Sequence, residues 1–68
     1  MQKATYELQR LDIFQHLNGK NYQVEEVKWI GGDSYRIDCL DADGKEISFP
    51  ADVHTSFQMV MTYSKAGA

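Results

Sequence analysis

Apolar and polar positions alternate through most of the chain beyond Lys20. Tyr22 and Val24 alternate with Asn21 and Gln23, and Val27 and Trp29 flank Lys28. Tyr35, Ile37 and Cys39 alternate with Arg36 and Asp38, Ile47 and Phe49 with Glu46 and Ser48, and Phe57, Met59, Met61 and Tyr63 with Gln58, Val60 and Thr62. A period of two places one set of side chains on a dry face and the other in water, so the pattern predicts four strands. The first two apolar pairs are out of phase by one residue, and a bulge near Glu25-Glu26 would return all four to one face.

Parity also predicts strand pairing. A two-residue Asp43-Gly44 turn would set Asp38 opposite Phe49, on the core face. A three-residue loop Ala42-Asp43-Gly44 instead pairs Cys39 with Ile47 and Ile37 with Phe49. That loop also sets Asp41 opposite Lys45 and puts Gly44 where a left-handed residue is needed. The same reasoning across Gly31–Ser34 pairs Trp29 with Ile37, Val27 with Cys39 and Lys28 with Asp38. Pro50 is expected to end the third strand, with Ala51–Ser56 a turn or single 3₁₀ turn before the last one.

The N-terminal third is predicted differently. Leu8, Leu11, Phe14 and Leu17 recur every third residue, so a helix over about 5–17 with Thr5 as its cap is expected. Strict i+3 spacing winds around a helix, which leaves a second parse open: a short strand around Tyr6 and Leu8, then helical turns capped by Asp12. Both stop at Asn18-Gly19, a natural left-handed cap, and a tight Asn-Gly hairpin is a third option.

The expected fold is mainly β (α+β): a small SH3-like barrel, or a bent four-stranded antiparallel sheet with an N-terminal helix. Residues 1–68 form one domain, with a helical segment at about 5–17, a β meander at about 20–63 and a frayed tail at 64–68. A bent, bulged meander followed by a short turn and one closing strand resembles the layout of SH3-like barrels over residues 20–63, at the level of fold alone.

Composition narrows the functional classes. Eight aromatics and ample Val, Ile and Leu set disorder aside. Cys39 is the only cysteine, so no disulfide can form within the chain. Polar residues follow Met1 at once and no apolar run approaches a membrane span, so a cytoplasmic location is expected. Net charge is −3, and the stretch 33–52 holds six acids against Arg36 and Lys45. No two basic residues are adjacent, which disfavours binding to a phosphate backbone.

Each candidate for chemistry has a plainer explanation. Asp41, Asp43 and Gly44 fit part of a calcium loop, but that alignment puts Cys39 first and Pro50 twelfth, where carboxylates are required. Gly31-Gly32-Asp33-Ser34 leads into a strand, whereas a phosphate cradle leads into a helix. His16, Cys39 and His54 are too dispersed for a tetrahedral metal site, and Asp52-Val53-His54-Thr55-Ser56 reads as a polar turn rather than a triad. No catalytic, metal-binding or cofactor-binding residue is assigned.

Trp29 and Tyr35 are expected in the core, although with Tyr22 they could form an aromatic platform. Ile30, Leu40 and Val60 fall on the outward side. The expected function is a non-catalytic binding or regulatory module engaging a protein partner, a basic one suiting the acidic surface, through Ile30, Asp33, Tyr35, Leu40, Asp41, Asp43 and Glu46. The alternatives are an SH3-like or OB-like nucleic-acid-binding module, or a homo-oligomer paired through the last strand.

Overall fold

The computed structural model describes residues 1–62. Within them the chain forms one six-stranded antiparallel sheet: β1 (Gln2–Ala4), β2 (Ile13–Gln15), β3 (Asn21–Gly31), β4 (Ser34–Leu40), β5 (Glu46–Asp52) and β6 (Ser56–Met61). Spatial order is β1-β6-β2-β3-β4-β5. Strands β2 to β5 are a meander of successive hairpins, and β6 then inserts between β1 and β2.

The alternating set makes the core. Tyr22, Val24, Ile37, Cys39, Phe57 and Met59 are buried together with Leu8 and Phe14. Phe14 is the hub: its ring lies 4.9 Å from Phe57, 5.9 Å from Tyr22 and 6.1 Å from Phe49, mostly edge-on. Burying such a ring contributes roughly 1.5–3 kcal/mol, before the preference for edge-to-face geometry is added. Phe49 on β5 reaching Phe14 on β2 requires the sheet to curl. The bulge that permits this sits where the phase break predicts it, since Val24 pairs with Cys39 and Glu26 with Asp38, leaving Glu25 as the extra residue.

The β4–β5 hairpin has the expected register: Cys39 opposite Ile47, Ile37 opposite Phe49, and Gly44 at φ 80° closing the loop. Asp41 fastens that loop, its Oδ1 accepting the N–H groups of Asp43 and Lys45 at 2.9 and 2.8 Å.

Several expectations are corrected. No helix spans 5–17. A 3₁₀ turn covers Thr5–Glu7 and the chain re-enters the sheet as β2. The i+3 residues separate accordingly: Leu8 and Phe14 enter the core, Leu11 is 39% exposed at φ 79°, and Leu17 stands fully in water. Asn18-Gly19 is the tip of the β2–β3 hairpin, with Gln15 opposite Asn21 and the His16 N–H donating to the Lys20 carbonyl. Asp12 does not cap a helix. It is fully buried, and its Oδ2 accepts from Lys3 Nζ and from the Gln9 N–H, both at 2.9 Å.

The β3–β4 register is also shifted. Trp29 pairs with Tyr35, Val27 with Ile37 and Lys28 with Arg36, because a second irregularity between Trp29 and Gly31 makes Ile30 an extra residue. Pro50 lies inside β5, which continues to Asp52. It is tolerated there because β5 is an edge strand. The last strand is not an edge, since β1 and β2 flank β6. Among the described residues no ladder joins β1 to β5, so barrel closure is not seen. The two edges approach at one point, where Thr5 Oγ1 donates to the Asp52 carbonyl at 2.6 Å. Tyr63 and the tail at 64–68 lie outside the described residues.

Candidate interaction surface

The residues expected to form one partner-binding patch separate into two groups. Ile30, Asp33 and Tyr35 belong to the β3–β4 hairpin tip, whereas Leu40, Asp41, Asp43 and Glu46 belong to the far end of β4 and the loop into β5. Seven residues of strand put about 20 Å between these ends. Tyr35 and Leu40 also point to opposite faces, because they differ by an odd number of residues along β4.

At the loop end, little is arranged for a ligand. Leu40 is half-buried rather than outward and free. Asp41 is occupied in holding its loop, and Asp43 and Glu46 are exposed, solvated carboxylates.

The hairpin tip differs. Trp29, Tyr35 and Ala51 form one cross-strand row on the inward face, beyond the rows that β2 and β6 cover. Trp29, expected in the core, is therefore 63% exposed, and Ile30 beside it is 53% exposed. The indole is held in place, its Nε1–H donating to the Gly32 carbonyl at 2.8 Å. Gly31 and Gly32 both have positive φ, which lets the turn bring that carbonyl within reach. Asp33 presents an exposed carboxylate at the same tip, while its carbonyl accepts the Val53 N–H at 2.7 Å. Sequence reasoning missed Trp29 as a surface residue. The signal available was its position two residues before a Gly-Gly turn, where a strand outruns its cover.

The outward face of β3, β4 and β5 carries a shallow trough of about 700 Å³ lined by Arg10, Glu25, Glu26, Arg36, Asp38, Glu46, Ile47 and Ser48. It holds four carboxylates against two guanidiniums, and one ion pair forms among them. Arg36 Nε lies 3.2 Å from Asp38 Oδ1, and Ser48 Oγ donates to that oxygen at 2.6 Å. The Ser48 hydrogen bond is the main reason the Asp38 carboxyl titrates below its usual range; Arg36 and Lys28 add to it against partial burial. Behind this face, burial pushes the Cys39 thiol up to about 11, helped by the negative charges of Asp38, Glu25 and Asp41. Such a thiol is protonated at neutral pH and is a poor nucleophile.

The dispersed histidines stay apart. His16 stacks on Phe49 at 4.8 Å, whereas His54 sits in the exposed turn before β6, its N–H donating to Asp52 Oδ1 at 2.8 Å. Among the described residues, no group of three or more His, Cys, Asp or Glu could hold a metal ion. No helix among them is long and apolar enough to cross a membrane. No family model, curated protein or solved structure matches this chain.

Proposed function

We propose that this protein is a non-catalytic binding module that engages a protein partner through the β3–β4 hairpin tip, with Trp29 and Ile30 as anchors and Asp33 at the rim. The observation that carries this reading is the exposure of Trp29, the largest side chain in the protein, fixed by a hydrogen bond to Gly32 rather than buried. A rigid, exposed indole loses little conformational freedom on binding and brings a large apolar area, which is why tryptophan is enriched among the residues that dominate interface energies. The fold that presents it is a curled sheet resembling an incompletely closed SH3-like barrel. The acidic balance of residues 33–52 favours a basic partner and would raise its association rate.

The test is capture of partners on the immobilised full chain, comparing the native protein with Ile30→Glu and Asp33→Lys. A partner retained by the native tip should be lost with Ile30→Glu, and its salt sensitivity should weaken with Asp33→Lys. An unchanged set of partners in both variants, each confirmed as folded, refutes the assignment. Salt-sensitive binding of single-stranded oligonucleotides that disappears in Trp29→Ala would replace the protein partner with a base-stacking ligand.

A further inference from the structure

The two edges of the sheet are not equivalent. Strand β1 has three residues, and the Met1–Met59 and Thr5–Thr55 backbone bonds fix its hydrogen-bond phase, so that only Gln2 and Ala4 point their backbone groups away from β6. Of these, the Ala4 N–H is already accepted by Glu7 Oε1 at 2.9 Å. That edge is short and partly capped.

Strand β5 is seven residues long. The Asp41–Lys45 and Val53–Asp33 bonds set its phase against β4, so Ile47, Phe49 and Ala51 bond inward, while Glu46, Ser48, Pro50 and Asp52 direct their backbone groups to the open side. The Asp52 carbonyl is taken by Thr5, and Pro50 has no N–H. What remains open is a short ladder: donors at Glu46, Ser48 and Asp52, and acceptors at Glu46, Ser48 and Pro50.

We infer that this β5 edge, from Glu46 to Pro50, is a docking site for an extended segment of a basic partner protein that adds a seventh strand to the sheet. The inference rests on the reading of the protein as a binding module and names the form of its ligand. Side-chain chemistry along the edge selects the occupant. The outward face of β5 carries Glu46 and Asp52 and no basic residue, so the incoming strand should place Lys or Arg on that face. On the inward face lie Ile47, Phe49 and Ala51, which favour apolar residues at the alternate positions. Ala51, the small end of the Trp29–Tyr35–Ala51 row, leaves space for one of them to reach the aromatic pair. A second copy of this chain fits worse, because β5 against β5 would bring two acidic outer faces together and, in the antiparallel register centred on Ser48, pair each Glu46 with a proline that cannot donate.

The test uses the isotope-labelled full chain and a synthetic heptapeptide of alternating lysine and valine, followed by amide chemical shifts. The largest shifts are expected at Glu46 and Ser48. Lysines on the outward face lie directly across from those residues and share their backbone bonds, so N-methylation at the lysines should weaken binding at least about tenfold, while N-methylation at the valines should not. A glutamate-valine peptide should bind more weakly than the lysine-valine one. Ser48→Pro, which removes one donor, should weaken binding; the methylated peptides carry the test even if that variant does not fold. Insensitivity to methylation, or shifts away from β5, overturns the inference. Movement of the Trp29 indole N–H alone would overturn the edge site and leave the hairpin-tip reading intact, and no shift at all also overturns the edge site, the tip being judged separately by its own capture variants.

Discussion

Asp12 and Lys3 concentrate the electrostatic risk in this small core. The carboxylate is fully buried, the ammonium side chain is 13% exposed, and 2.9 Å separates them. A buried pair contributes modest net stability because both ions lose water, but breaking it strands a charge. Lys3→Met should therefore cost about 3 kcal/mol in urea denaturation. The double variant with Asp12→Asn should recover part of that loss; additive losses would show that the two residues do not act as a pair. Titration at Asp38 and Cys39 gives two opposite pH dependences. Asp38 is lowered, so its contribution is present above the ordinary carboxylate range and is lost as pH falls through the folded value. Ser48→Ala should be less stable than the native protein at neutral pH and converge with it in acid. Cys39 is raised from 9.0 to about 11, so between those values the unfolded chain gives up a proton that the folded one keeps, and stability falls as pH rises through that window. Replacing Cys39 with serine should remove this alkaline component, as read from melting curves across that range.

At the scale of elements, the bulge at Glu25 joins two otherwise incompatible patterns. Deleting Glu25 would restore an unbroken ladder at the cost of turning either Tyr22 and Val24 or Val27 to the wrong face. The expected result is loss of cooperative unfolding and of near-UV circular dichroism; a deletion variant that melts like the native protein would show that the bulge is dispensable. This break was legible because four apolar residues recorded the change of phase. The β4–β5 register was legible too, since only one loop length kept Asp38 out of the core. The β3–β4 register was not. Parity assumes one residue per step, and Ile30 adds an uncounted one next to two glycines that tolerate positive φ. Strands β1 and β2 were hidden for another reason. Three residues carry too little alternation to read, and buried Asp12 and Thr5 break the rule that polar positions face water. Of the candidate surface, Ile30 and Asp33 could be read as exposed, but Trp29 could not, because its burial depends on whether another strand covers that end of the sheet.

For the molecule as a whole, the split between a covered and an uncovered half of one sheet makes stability and recognition separable. Phe14 has no exposed surface and packs against the rings of His16, Tyr22, Phe49 and Phe57, so Phe14→Ala should cost about 3–5 kcal/mol. That is most of what a domain of this size has, and the variant should be largely unfolded. Trp29 is bulkier, yet most of its surface is already in water, so Trp29→Ala should cost only about 1 kcal/mol. Because Trp29 is the only tryptophan, its fluorescence reports this half of the sheet alone. In the folded protein, acrylamide should quench it nearly as well as in urea, and the emission should shift to shorter wavelength only when a partner covers the tip. If the folded protein instead protected the indole strongly, and Trp29→Ala unfolded it as Phe14→Ala does, the ring would belong to the core, and the surface proposed for recognition would lose its anchor.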